Sequence, residues 1–294
     1  MRRRLGLLLL AGVLVACGGD DQGSGSATTA AGRESTTTSA NAPAATTTVP
    51  TRGGATGGVS TAGGTADGGG PSTTTAPRSS SLSPGGVGDL AGALLRPGNG
   101  DRIVVEVRAQ AGAAPRAATL QHLVGVLHQV SGKAVAVDGV DPLAGGARDW
   151  TSASIAAAAD HTGAHGQGGT QVVVRLLFVH GTFEGDESVL GVSVRGDVAA
   201  IFTDQVDAAS GLLSDPAVVE DAVTMHESGH LLGLVDLAID TGRDDPQHPG
   251  HSTDERSVMY WAVESDLIGE VLGGGIPTDF DARDRADLAR IRAG

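Results

Sequence analysis

Two histidines and a glutamate in the second half of the chain have the types and spacing of a metal site that activates water. His226 and His230 are four residues apart, so a helix would place both imidazoles on one face. Two neutral imidazoles in that arrangement can bind one zinc ion, and Glu227 can reach a metal-bound water. These three residues predict a site for hydrolysis, with the peptide bond as the expected target.

The neighbouring residues predict a helix with a defined beginning and end. Asp215 and Pro216 have the types expected of an N-cap and a first helical residue, and residues 217–223 carry apolar side chains at helical spacing. Gly233 is expected to end the helix in a sharp turn that brings Asp236 back toward the imidazoles. The alternative is a buried helix with two hydrogen-bonded histidines and a solvated glutamate. That alternative leaves the spacing of Gly233 and Asp236 unexplained.

With this motif the sequence resembles the metzincin clan of zinc endopeptidases. Residues 226–236 match the pattern H-E-x-x-H-x-x-G-x-x-H/D, and the Ser-Val-Met-Tyr stretch at 257–260 is similar to the clan's methionine turn. Aspartate at the third ligand position resembles the snapalysin-like branch, whereas the methionine turn is similar to that of matrixins. The resemblance implies three Zn²⁺ ligands, a general base and a methionine beneath the metal, which fall on His226, His230 and Asp236, on Glu227, and on Met259.

The identity of the third ligand has an alternative within the polar loop at residues 240–252. His251 lies in this loop and could be the third ligand, with Asp236 in a supporting position. Imidazole is the commoner zinc ligand, but Asp236 has the spacing of the clan, and we expect Asp236. The acidic residues of the same loop could hold calcium, although a solvated loop is the expected state.

Segments of strand and helix character alternate through the second part of the chain. Strands are expected at 102–108, 134–137, 171–179, 189–194 and 198–202, and further helices at 117–130, 151–160 and 281–291. This alternation indicates an α/β (α+β) fold. The resemblance implies a metzincin-like zincin domain with a twisted, mostly parallel five-stranded sheet, an antiparallel edge strand at 189–194, an active-site helix and a C-terminal helix. A peptide substrate would add to that edge strand.

The first part of the chain predicts export and attachment to a membrane. Residues 1–16 have the basic start and short apolar run of a secretory signal, and residues 14–17 resemble a bacterial lipobox. That resemblance implies lipidation of Cys17, the only cysteine, and a location on the extracytoplasmic face of the cell membrane. The alternative is ordinary signal cleavage. Residues 17–98 are rich in Thr, Ser, Gly and Pro and predict a disordered tether, which leaves 99–294 as the zinc peptidase domain.

The charge of the chain limits its expected partners. The net charge is −14 and Lys133 is the only lysine, which argues against nucleic acid and against electrostatic binding to anionic lipid. The expected partners are a protein or peptide substrate and, through the anchor, a lipid membrane. Alternatives are a non-catalytic zinc-stabilised cell-envelope binding protein, a zinc hydrolase with another substrate, and a surface adhesin. Glu227 favours an enzyme, because a purely structural zinc site needs no base.

Overall fold

The computed structural model describes residues 82–294, except for residues 162, 211–213 and 273–274. The predicted signal at 1–16, the lipidation of Cys17 and the greater part of the predicted tether lie outside the described residues. Within the described part of the chain, no helix is long and apolar enough to cross a lipid bilayer.

A five-stranded sheet forms the centre of the domain, with the strand order β2-β1-β4-β7-β6. Four of its strands are parallel, and β6 pairs with β7 in the antiparallel direction at one edge. The predicted α/β class, the mostly parallel sheet and its antiparallel edge strand are therefore confirmed. In chain order the strands are β1 Arg102–Ala109, β2 Ala134–Pro142, β3 Arg148–Trp150, β4 Gln171–Val179, β5 Gly181–Phe183, β6 Gly191–Arg195, β7 Val198–Phe202, β8 Asp244–Asp245 and β9 His248–Ser252.

Helices cover both faces of this sheet. In chain order they are α1 Ala91–Leu95, α2 Ala117–Ser131, α3 Ser152–Ala159, α4 Thr203–Ala209, α5 Pro216–Leu231, α6 Ile268–Leu272 and α7 Ala282–Ala293, and one 3₁₀ turn spans Trp261–Glu264. The helix α5 carries the His-Glu motif, and α7 is the predicted C-terminal helix. The strand pairs β3–β5 and β8–β9 form two small additional sheets that the sequence did not predict.

The central strand β4 shows how the sequence produces these layers. Its nearly continuous apolar run is typical of a strand that is buried on both faces. Because successive side chains alternate, Val174, Leu176 and Phe178 pack into the larger core with α1, α2, α5 and α7. Leu177 and Val179 point the other way and pack with the smaller core beneath α3. The sheet thereby fixes the position of α5 from one side.

The folded domain begins before the predicted boundary at residue 99. The short helix α1 lies within the range assigned to the tether, yet Leu94 and Leu95 have no exposed surface. The only lysine attaches this helix to the domain, because the Lys133 ammonium donates hydrogen bonds to the carbonyl oxygens of Ala93 at 2.5 Å and Asn99 at 3.1 Å. The apolar residues of α1 are too few to show a helical period, and this is why the sequence placed them in the tether.

Truncation of Leu95 tests whether α1 is part of the core. We expect Leu95→Ala to lower the free energy of unfolding of the full chain by about 2–5 kcal/mol, because it empties a buried site. Urea denaturation measures the change. The control is Val140→Ala on β2, where the side chain is 44% exposed and the expected change is within about 0.5 kcal/mol. Equal losses in the two variants would contradict the placement of α1 in the core.

Candidate metal centre

Three histidine rings and one carboxylate converge at the C-terminal half of α5. His226 and His230 lie one helical turn apart, and their Nε2 atoms are 3.0 Å from each other. His251 and Glu264 complete the group, in which one ligand atom from each residue lies within 4.8 Å of all the others. Among the residues that the structure describes, this is the group with the geometry to hold a metal ion.

The methionine turn orients the first of these rings. His226 Nδ1 lies 2.7 Å from the carbonyl oxygen of Val258, so Nδ1–H donates this hydrogen bond and the Nε2 lone pair faces the other rings. Hydrogen bonds of this kind commonly fix the tautomer of a metal-binding histidine. The backbone carbonyl of Val258 therefore orients the ring of His226, a role that the valine side chain does not indicate in the sequence.

A β-hairpin made of β8 and β9 brings His251 to the helix. The strand β9 is attached to the methionine turn, because the amide of Ser252 donates a hydrogen bond to the carbonyl oxygen of Met259 at 2.8 Å. His248, at the start of β9, stacks on Trp261 with ring centroids 4.5 Å apart. The loop that the sequence described as polar is thus folded onto the site, and its second histidine becomes a member of the cluster.

Asp236, the expected third ligand, is not a member of this group. Its carboxylate accepts a hydrogen bond from the Thr241 amide at 2.6 Å and another from the Thr241 hydroxyl. Gly233, Val235 and Asp236 all have positive φ, at 80°, 50° and 63°, and this left-handed backbone directs the carboxylate into its own loop. Burial acts to raise the pKa of Asp236, but the hydrogen bonds from Thr241 outweigh it and lower that pKa. The structure brings the alternative, His251, to the rings instead.

Met259 lies directly against the helix. A Cβ atom built on Gly229 would be 2.2 Å from its sulfur atom, so the methionine occupies the space that a side chain at residue 229 would need. Met259 is fully buried and does not belong to the group of four possible ligands. The role of a methionine beneath the metal, which the resemblance implied for Met259, stays a prediction.

Glu227 is fully buried and lies against the edge strand β6. Its Oε2 atom accepts a hydrogen bond from the Ser193 hydroxyl at 2.7 Å, whereas Oε1 is buried without a hydrogen-bond partner. Burial raises the pKa of Glu227 well above its usual value, and the negative charge of Glu264 adds to the effect. Sequence analysis missed Ser193, because only the packing of β6 over α5 brings it to residue 227.

The electrostatics of the cluster suit a cation that prefers nitrogen ligands. Burial lowers the pKa of His230 well below its usual value, and the neighbouring His226 acts in the same direction. The ring of His230 is therefore neutral, as metal binding requires. Burial acts to lower the pKa of His251, but the carboxylate of Glu264, whose oxygen lies 2.9 Å from His251 Nε2, outweighs it and raises that pKa. Three imidazoles whose nitrogen atoms converge in this way are the donor set expected of a zinc site.

The acidic residues of the loop do not form a second cluster in the described part of the chain. The carboxylates of Asp240, Asp244 and Asp245 accept hydrogen bonds from backbone amides of the same loop. They act as turn-forming residues in this structure. Calcium binding was the alternative to the solvated loop that the sequence predicts, and these contacts do not test it.

Comparisons with known proteins give weak similarity. No protein-family model and no curated protein matches the chain. The crystal structure of archaemetzincin from Methanopyrus kandleri shares 18% sequence identity, covers 66% of this chain and 97% of its own, and has a TM-score of 0.44. The archaemetzincin of Archaeoglobus fulgidus, crystallised with malonate, shares 14% identity over 64% of this chain and 99% of its own, with a TM-score of 0.38. Any functional assignment must therefore depend on the geometry of the metal centre.

Alanine substitutions at two helical glycines test the packing of Met259 against α5. Gly229→Ala places a methyl group against Met259 and, at 3.1 Å, against the ring of Phe280. Overpacking of this kind should destabilise the chain by about 1–3 kcal/mol in urea denaturation. Gly125→Ala in α2 has no atom within 4 Å and should be neutral or stabilising by up to about 1 kcal/mol. A neutral Gly229→Ala would be incompatible with the packing described.

Proposed function

We propose that the protein is a zinc-dependent endopeptidase whose metal ligands are His226, His230 and His251. The observation that carries the proposal is the convergence of three imidazoles, two of them buried and one half-buried, beside Glu227, whose Oε1 atom has no hydrogen-bond partner. Three histidines with an open fourth position are a ligand set of catalytic rather than structural zinc. A structural site would have no use for Glu227, and this argues against the alternative of a zinc-stabilised binding protein.

The residues of the site have separate roles in hydrolysis. A bound zinc ion would supply a Lewis acid and lower the pKa of a water molecule toward neutrality. Glu227 takes a proton at its free Oε1 atom and later delivers it to the leaving amine. Ser193 holds the other carboxylate oxygen in place. Burial raises the pKa of Glu227, and this strengthens the affinity of its carboxylate for a proton.

The substrate class follows from the position of β6. This strand forms the antiparallel edge of the sheet, and a Cβ built on Gly191 would lie 2.7 Å from Glu227 Oε1, so the edge runs directly over the base. An exposed sheet edge binds an extended peptide through backbone hydrogen bonds. A peptide that adds to β6 would pass the carboxylate of Glu227, and this favours protein or peptide substrates over other hydrolysable compounds.

Zinc content distinguishes the two candidates for the third ligand. The full chain should retain one zinc ion per molecule after dialysis, as measured by mass spectrometry of the metal. We expect His251→Ala to weaken zinc binding more than about 100-fold. This is a larger loss than the removal of a residue that only hydrogen-bonds to a metal ligand would cause. Asp236→Asn should keep one zinc ion, because the amide retains an oxygen that can accept the hydrogen bonds from Thr241. The reverse pattern, with zinc lost in Asp236→Asn and kept in His251→Ala, would assign Asp236 as the ligand.

Loss of the base should separate metal binding from turnover. Glu227→Gln keeps the shape of the side chain but cannot take a proton, so it should bind one zinc ion and lower kcat by about 10²–10⁴-fold. Cleavage of fluorescently labelled casein and of a peptide panel measures the loss. Glu255→Gln, at an exposed position, is the matched control and should cleave like the unaltered protein. Turnover retained in Glu227→Gln would remove the role assigned to this residue.

A further inference from the structure

The segment that follows the methionine turn crosses to the edge strand. We call residues 261–266 the strap. The amide of Leu190, one residue before β6, donates a hydrogen bond to the carbonyl oxygen of Glu264 at 2.8 Å, and the amide of Asp266 donates one to Ser188 at 2.8 Å. Between them, Val189 and Ser265 form an antiparallel bridge. The strap therefore forms backbone hydrogen bonds with residues 188–190, the edge that continues β6, as an added peptide strand would.

The side chain of Glu264 reaches from the strap into the metal centre. One of its carboxylate oxygens lies 2.9 Å from His251 Nε2, and the other lies 3.5 Å from His226 Nε2. The carboxylate thus stands where the three imidazoles converge, in the position that an open fourth ligand site would require. Carboxylate oxygen is itself a common zinc ligand.

The first metal ligand and the base have no contact with solvent in this structure. His226 and Glu227 each have 0% relative exposure. A base that must meet both water and a peptide carbonyl cannot act without access to either. The strap contacts the metal centre through the side chain of Glu264 and the edge that continues β6 through its backbone.

We propose that the strap is an autoinhibitory closure, in which Glu264 occupies the fourth ligand position and residues 264–266 occupy part of the peptide-binding edge. The proposal rests on the zinc site proposed above. Entry of substrate then requires residues 264–266, the outer half of the strap, to leave the edge and to withdraw Glu264 from the metal centre. Water or the substrate carbonyl takes the position that the carboxylate gives up.

The anchoring of the strap indicates which part of it moves. Ala262 and Val263 are fully buried and hold the inner half, whereas Ser265 is half-buried and Asp266 is exposed. Two backbone hydrogen bonds attach the outer half to the edge, and a peptide that pairs with the same edge replaces them with equivalent ones. Opening therefore exchanges the hydrogen bonds of the strap for similar hydrogen bonds of the peptide, as a reversible closure requires.

Cobalt substitution tests the position of Glu264 without depending on turnover. Co²⁺ replaces zinc in the full chain, and titration with acetohydroxamate is followed through the visible absorption of the metal. Acetohydroxamate needs open coordination positions on the metal. Its apparent affinity is therefore reduced in proportion to the fraction of molecules in which the strap is open. We expect Glu264→Gln to bind it at least about tenfold more tightly than the unaltered protein. Glu255→Gln should match the unaltered protein.

The outcomes distinguish this proposal from the proposed function. Equal hydroxamate affinities and equal cobalt spectra in the unaltered protein and Glu264→Gln would overturn the closure and leave the zinc site intact. Failure of the unaltered protein to bind cobalt would remove both proposals. A spectrum that changes in Glu264→Gln before any hydroxamate is added would support direct ligation by the carboxylate.

A reversible cross-link tests the backbone part of the closure. Val189→Cys and Ser265→Cys, introduced together in a Cys17→Ala background, replace two directly paired residues whose separation in an antiparallel bridge suits a disulfide. The oxidised protein should keep its cobalt and lose hydroxamate binding, and reduction should restore the binding. The Cys17→Ala protein, oxidised and reduced in the same way, is the control. Hydroxamate binding that is equal in the oxidised and reduced forms would show that the strap does not need to open.

Discussion

The burial of the polar side of α5 is the constraint on which the rest of the site depends. A buried polar group without a partner is costly, so each histidine and carboxylate on this helix must find one inside the protein. His226 finds the carbonyl oxygen of Val258, and Glu227 finds the hydroxyl of Ser193. These two hydrogen bonds join the helix to the methionine turn on one side and to the sheet edge on the other. The same loss of solvent keeps the His230 ring neutral.

Four separate stretches of the chain meet at the cluster. The helix supplies two rings, the hairpin β8–β9 supplies His251, the strap supplies Glu264, and β6 supplies the hydroxyl that holds Glu227. A cation that binds such a set stabilises the folded arrangement of all of them, because the ligands are far apart in an unfolded chain. Burial alone would raise the pKa of Glu264, but its contacts with His226 and His251 outweigh burial and lower that pKa. The charged carboxylate thus takes part in holding the rings together.

The sequence predicted the regular parts of this arrangement and missed those that depend on pairing over long distances. Asp215 accepts a hydrogen bond from the Ala217 amide and caps α5 as its type suggested, and the apolar runs form the expected strands. The choice between Asp236 and His251 depends on positive φ at residues 235 and 236. Valine seldom adopts this conformation, and no local pattern encodes it. Glu264 carried no signal, because only the pairing of residues 264–266 with the sheet edge brings it to the cluster.

The single lysine gives the domain an unusual chemical property. Burial lowers the pKa of Lys133, although the charge of Asp101 acts against this, and its ammonium is enclosed by carbonyl oxygens at the end of α1. Amine-selective reagents such as succinimidyl esters therefore meet no accessible lysine side chain in the folded domain. Acylation of residue 133 would report the moment at which α1 detaches, so a chain that lacks other lysines contains its own probe of local opening.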